Sequence, residues 1–421
     1  MTDAGVRAFE MVAALDYERT AGSPQEAQAA RSIVSALHSI GLSPHTQTFE
    51  IPLYQITRAS FSVTSPASNA LFFGVTGYGH SGNTPPEGLE APFIYIENGE
   101  DSLLAQASGC IALLNIHPTP TLYHKMEAAN VAGFVSISGA IDDDRRSTDL
   151  ERRSLRIGRH VTSAEGGIPG LCIRAEDAAR LLAAKPKRCK IILQQQTFFG
   201  QSANIIADIP GTGHSEETIL FSAHYDSVPF SHGSYDNASG SAILLELCRF
   251  FKDNPLRRPC RFVWCGAEEI GLEGSRHYAR SLSPDSPRQI VLNINIDLAG
   301  QLIGVNHAVV SAEESLCHIL QFLAAHSGIG LTVRQGIFPS DASSFADVGI
   351  PAVTLYRTGA GGHSRKDTAC LLHPLALQKT YDLALELTRY LGDSMVFPVS
   401  RAIPENVRQP LNDYFARTAG S

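Results

Sequence analysis

Two segments decide the fold, TILFSAHYDS (218–227) and CRFVWCGAEE (260–269). Each is a compact apolar run that stops at ionisable groups, His224-Tyr225-Asp226 in the first and Glu268-Glu269 in the second. Between them, ASGSAILLELCRFF (238–251) carries apolar residues at helical spacing. The same rhythm extends in both directions. NIIADI (204–209), VLNINID (291–297), HAVVS (307–311) and AVTLY (352–356) are further apolar runs. ESLCHILQFLAAHS (314–327) and LALQKTYDLALELTRYLG (375–392) have helical periodicity. Near-continuous hydrophobic strands alternating with helices predict an α/β domain of three layers, a mainly parallel mixed sheet covered by helices on both faces.

Outside this region the texture differs. FEMVAALDYERTAG (9–22) and SPQEAQAARSIVSALHSIGL (23–42) read as helices, with Ser23 and Pro24 opening the second and Gly41 closing it. HTQTFEIPLY (45–54) alternates like a strand. From 52 to 198, short apolar runs such as GCIALLNI (109–116) and GFVSISG (133–139) alternate with Pro/Gly turns and a short helix, HKMEAANVAG (124–133). DDDRRSTDLERRSLRIGRH (142–160) is densely charged with mixed sign and is expected to be an exposed loop. This change of texture sets a smaller β-rich α+β domain, 52–198, apart from 1–51 and 199–421.

Of the 421 residues, 43% are apolar and 18% charged, which excludes disorder, collagen-like repeats and a coiled coil. Lys+Arg 34 against Asp+Glu 42 gives −8, and no basic block points to nucleic acid. No uncharged run approaches the ~20 apolar residues of a membrane span. Acidic residues stand in the N-terminal stretch where a signal peptide is basic and apolar, so a soluble cytoplasmic protein is expected. Eight scattered cysteines without a C-x-x-C are expected to be mostly buried free thiols. A homo-oligomer is compatible with this composition, but no feature points to one.

The chemistry collects at the strand ends. His224 and Asp226, Glu268 and Glu269, Asp297, and His363 beyond AVTLYRTGAGG follow four of the predicted strands. Ligands of open α/β sheets bind beyond the carboxyl ends of strands, so these groups are expected in one crevice, joined by Asp236 from the loop GSYDNASG. Singly, each has an ordinary explanation, such as a histidine–carboxylate pair, acids at a helix N-terminus, an Asx turn or a loop histidine. Together they make a set of imidazoles and carboxylates without thiolates, suited to zinc, with manganese or cobalt as alternatives. Four converging carboxylates, Asp236, Glu268, Glu269 and Asp297, would repel one another unless cations neutralised them. Two divalent ions sharing one carboxylate satisfy that charge count, and leave one glutamate as a base. His277, His318 and His326 lie on predicted helices and read as surface or packing residues.

At these residues the sequence resembles the co-catalytic di-zinc aminopeptidase family, which includes bacterial leucyl aminopeptidases and glutamate carboxypeptidases. The resemblance is carried, in order, by SAHYDSV (222–228), GSYDNASGSA (233–242), CGAEEIGLEGS (265–275), NINIDLAG (293–300), SDASSFADVGIPAV (340–353) and GGHSRKDT (361–368). It implies that His224 and Asp297 hold one zinc, that Glu269 and His363 hold the other, and that Asp236 bridges them. It further implies that Asp226 orients His224, and that Glu268 is the general base acting on a metal-bridging water. Asp341 and Phe345 fall where the family lines its substrate pocket. Residues 52–198 resemble, more loosely, the family's protease-associated insertion, which would restrict access to short peptides.

Two readings compete with an aminopeptidase on the same fold. Single-zinc glutaminyl cyclases share the HYDS and Glu-Glu stretches but carry Trp before the last histidine, where this chain has Gly362. Aminoacylase-type amidohydrolases insert their lid domain between the fourth ligand and the final histidine, and the stretch from Asp297 to His363 is too short for that. Carboxypeptidase action is left open by the motifs. A non-catalytic binding protein of this fold would be expected to lose ligands or the base, and none is missing. Many family members place a tyrosine before the last histidine to stabilise the oxyanion. Gly362 stands there, leaving Tyr225, Tyr235 or Tyr356, or the metals alone, for that role.

Overall fold

The computed structural model describes residues 4–65, 72–139, 150, 153–155, 167–213, 216–283 and 286–419. The chain divides into two compact units, Met1–Ile51 with Gln201–Tyr414, and Pro52–Gly200 with Phe415–Ser421. Most of the charged segment expected to form an exposed loop, 142–160, lies outside the described residues.

In the first unit the sheet runs in the order Leu331–Gln335, Asn306–Ser311, Ala352–Arg357, Ile290–Ile296, Thr218–His224, Cys260–Cys265, and then the end of Arg188–Ile209. The four strands from Ala352–Arg357 to Cys260–Cys265 are mutually parallel, so their carboxyl ends share one edge. Antiparallel pairing closes this parallel core on each side. Both faces are buried, as the unbroken apolar runs require. Ile219, Phe221 and Ala223 pack into one core with Phe262, Trp264 and the helices Ala4–Ala14, Ser239–Asp253 and Pro374–Gly392. Leu220, Val263 and Cys265 face a smaller core on the other side, with Tyr278 and Phe345. The strand Leu331–Gln335 had no clear signal because it is only half-buried.

The helix Pro24–Ser39 starts as expected, with Ser23 accepting from the Glu26 N–H and Pro24 in the first turn. Its end is followed by Gly41 at φ +79°, a conformation that favours glycine. The reading of 9–22 as one helix is corrected. The first helix is Ala4–Ala14. A continuing helix would give the Arg19 N–H to Leu15 O, but that N–H goes to Ser227 Oγ, while the Arg19 guanidinium takes the Leu15 and Tyr17 carbonyls.

The second unit contains a parallel ribbon of Leu89–Tyr95, Ile111–Leu114, Gly133–Ser138 and Gly170–Arg174, with Val75–Gly77 antiparallel at its edge. Apolar clusters around Leu113 and Val135, and around Ala112 and Phe134, fill its two faces. Among the described residues the eight cysteines form no disulfide, and six of them are buried. Among the described residues no helix is long and apolar enough to cross a membrane.

Phe221 is wholly buried and stacked on Phe262 at 4.5 Å between ring centroids. Phe221→Ala should lower unfolding stability by roughly 3–5 kcal/mol in urea titration. A loss below about 1 kcal/mol would contradict the central packing of this strand.

Candidate metal centre

His224 is the last residue of Thr218–His224, and Asp297 directly follows Ile290–Ile296. Glu268 and Glu269 lie in the turn after Cys260–Cys265, ahead of the helix Glu273–Ser281 rather than inside its first turn. His363 lies beyond Ala352–Arg357, and Asp236 precedes the helix Ser239–Asp253. The shared strand edge brings all six together. Among the described residues, His224, Asp236 and Asp297 can direct ligand atoms at one point, as can Asp236, Glu269 and His363, and His224, Glu268 and Glu269.

Asp236 divides its carboxylate between the first two groups. Its Oδ1 is 3.1 Å from His224 Nε2, and its Oδ2 is 3.0 Å from His363 Nε2. His224 Nε2 is also 3.5 Å from Asp297, and His363 Nε2 is 3.3 Å from Glu269. His224 is 1% exposed whereas His363 is half-exposed, so the site is walled on one side and open on the other.

The turns are held by side chains that accept backbone N–H groups. Asp226 takes the Glu268 and Glu269 N–H groups, and its Oδ1 stands 3.4 Å from His224 Nδ1. Asp367 takes the Tyr235 and Asp236 N–H groups. Gly233, at φ +61°, turns the chain toward Asp236, and a Cβ there would stand 2.6 Å from Asp236 O. Behind Asp297 runs a buried chain of hydrogen bonds. Asn293 donates to Ser222, Ser222 to Asn295, Asn295 to Ser340, and Ser340 Oγ to Asp297 Oδ2 at 2.5 Å. Asp297 Oδ1 is buried without a hydrogen-bond partner.

The charges are strongly coupled. Burial pulls the His224 pKa down, but Glu268 and the adjacent carboxylates of Asp226, Asp236 and Asp297 outweigh it and hold it well above the usual value. Glu269, followed by bonding to Asp236 and Glu269, pushes His363 up to about 11. Burial, resisted by His224 and reinforced by Glu269, Asp341 and Asp297, holds the Glu268 carboxyl well above the ordinary range. Burial opposes ionisation of Asp236, yet both imidazoles overcome it and drive its pKa far down. Such clusters mark functional sites. Carboxylate and imidazole donors converging on shared points, one oxygen buried without a partner, fit a divalent cation of borderline hardness.

Other expectations shift. Phe345 is wholly buried in the smaller core, so its placement in a substrate-pocket wall is corrected. Asp341 is also wholly buried, and burial, opposed by His224 and Ser275, raises it to about 7. The hydroxyls of Tyr225 and Tyr235 donate to Ala203 O and Arg357 O, so neither is free for an oxyanion. Tyr356 is half-buried and stacked between His307 and Phe338. Ser340 and Asp367 are further supports, and the stretches that contain them, SDASSFADVGIPAV (340–353) and GGHSRKDT (361–368), carry no local mark of that role.

The sequence profile of peptidase family M28 matches residues 204–388. The chain is similar to the aminopeptidase YwaD of Bacillus subtilis, 31% identical over 285 residues, covering 67% of this chain and 58% of that protein. It is also similar to human carboxypeptidase Q, 23% identical over 375 residues, covering 85% of this chain and 78% of that protein. The first curated relatives are thus matched over little more than half their length or less. The crystal structure of a zinc aminopeptidase from Bacillus subtilis superposes with a TM-score of 0.78 at 24% identity, covering 95% of this chain and 98% of that one, which shows the fold.

Asp367→Asn replaces an acceptor of two N–H groups by an amide that cannot accept both. Unfolding stability should fall by about 1–3 kcal/mol in chemical denaturation. An unchanged midpoint would contradict the role of Asp367 in fixing the Asp236 turn.

Proposed function

We propose that the chain, whose residues 204–388 match the profile of peptidase family M28, is a zinc-dependent aminopeptidase acting on short peptides. The observation that carries the reading is the divided carboxylate of Asp236, each oxygen within about 3 Å of a different imidazole. That arrangement supports two ions. His224 and Asp297 would hold one and Glu269 and His363 the other, with Asp236 common to both. Imidazole and carboxylate donors suit zinc, with manganese or cobalt as substitutes, and the fold shared with a zinc aminopeptidase supports zinc. Bound there, the ions supply Lewis acidity to the scissile carbonyl and make water acidic enough to attack at neutral pH.

Glu268 is the general base. Its carboxylate takes a proton from the attacking water as the O–C bond forms, and it returns that proton to the amine nitrogen as the C–N bond breaks. Its raised pKa, caused first by burial, suits a group that must both accept and release a proton. Asp226 holds Glu268 in place through the backbone and faces the remote nitrogen of His224.

Residues 52–198 are read as the protease-associated-like insertion in a catalytic domain of 1–51 and 199–421, a reading supported by the division of the chain at Ile51 and Gly200. Eight cysteines outside any disulfide support a reducing compartment, the cytoplasm. The likeness to carboxypeptidase Q keeps carboxypeptidase action as the second reading.

The test is a panel of aminoacyl, N-acyl and carboxyl-terminal dipeptide substrates, assayed with and without a chelator. Chelator-sensitive release from unblocked amino termini is expected, and Glu268→Gln should abolish it with metal content nearly intact. Cleavage only of blocked or carboxyl-terminal substrates would overturn the aminopeptidase reading, and a fully active Glu268→Gln variant would overturn the base.

A further inference from the structure

The turns of the site are tied to a segment far from them in sequence and outside the family match, Asp16–Glu26. Arg19 is 0% exposed, and among the described residues all its guanidinium hydrogen bonds go to backbone carbonyls rather than to a carboxylate. Besides its local contacts, it donates to Tyr225 O, one residue beyond His224, and to His232 O and Gly233 O, just ahead of Asp236. Its own N–H and C=O pair with Ser227 on the first of these turns. A rigid planar fork can span two loops in this way, and an ammonium cannot. Asp16 adds to the hold on the second turn, accepting from Ser234 Oγ and Ala369 N and lying 3.0 Å from His232 Nδ1.

Glu26 acts on a third turn. It is 2% exposed, and its Oε1 accepts from Ser202 Oγ at 2.7 Å and from the Ala267 N–H at 3.1 Å, immediately before Glu268 and Glu269. Its Oε2 accepts from the Gly22 N–H, anchoring the carboxylate to the start of its own helix. Gly266 permits this approach, since a Cβ there would lie 2.3 Å from Ser202 Oγ and 3.0 Å from Glu26 Oε1. Asp226 grips the same turn from the other side through the next two N–H groups.

We propose that Asp16–Glu26 is a positioning element of the site, in which Arg19 sets the spacing of the turns carrying His224 and Asp236, and Glu26 sets the turn carrying Glu268 and Glu269. The inference rests on the proposed function for its catalytic consequences, but the mechanical claim stands on the hydrogen bonds alone. The two side chains act on different turns, so their loss has different signatures.

The experiment uses the full chain with Arg19→Lys, Glu26→Ala and Glu26→Gln. Amide hydrogen exchange is followed over 225–237 and 266–273, alongside zinc affinity by chelator competition and kcat and KM on an aminoacyl substrate. Arg19→Lys should speed exchange over 225–237 alone and weaken zinc binding about tenfold or more. Glu26→Ala should speed exchange over 266–273 alone and lower kcat about tenfold with KM nearly unchanged. Glu26→Gln, which keeps an acceptor for Ala267 but offers a donor to Gly22, should fall between Ala and the parent. Exchange that is unchanged, or raised evenly through the unit, overturns the proposal, as does wild-type zinc affinity with wild-type kcat in folded variants. If Arg19→Lys does not fold, the Glu26 pair decides. A parent chain that binds no zinc and cleaves no peptide overturns the proposed function instead, while the exchange pattern still decides the positioning claim.

Discussion

Four carboxylates and two imidazoles have to share one crevice that the protein walls on one side, and much of the molecule follows from that electrostatic constraint. Asp236, Glu268, Glu269 and Asp297 converge where solvent screening is weak, and their mutual repulsion would favour protonation or separation. The imidazoles offset part of it, which is why both are held as cations far above their ordinary range. Cations that replace those protons satisfy the same charges with the side chains where they already stand. The formal −8 of the chain therefore includes four carboxylates that would be neutralised at the proposed metal site, and it says little about the substrate.

Holding such a cluster together requires a frame that does not yield. The parallel strands provide the coarse placement, because their carboxyl ends share one edge and their apolar residues are locked in cores on both faces. The fine placement comes from polar side chains that bind backbone. Asp226 and Glu26 grip the turn of the two glutamates, Asp367 grips Asp236, and the chain from Asn293 to Ser340 ends on Asp297. These supports are buried, so each lost bond leaves an unsatisfied group rather than a hydrated one.

The coarse level was legible in the sequence. Apolar runs of strand length ending in His224, Glu268 and Asp297 give both the sheet and the edge on which the ligands gather, since periodicity and burial are local properties. Of the supports, Asp226 was legible through the resemblance, whereas Arg19 and Glu26 were not, because they act on turns about two hundred residues away and look like ordinary residues of a helical hairpin. The first helix was read too long for the same reason, its end being set by a partner, Ser227, distant in sequence. Phe345 was assigned to a pocket wall although it fills a core, since an aromatic residue near a motif carries no mark of the direction it faces. Tyr225 and Tyr235 lie beside the ligands in sequence, but their hydroxyls are committed to the Ala203 and Arg357 carbonyls.

The proposed function turns on Asp236 being shared between two cation sites. Anomalous diffraction from crystals grown with zinc, recorded on either side of the zinc absorption edge, measures this directly. The account predicts two peaks, one enclosed by His224, Asp236 and Asp297 and the other by Asp236, Glu269 and His363. A single peak, or zinc bound away from Asp236, would contradict it.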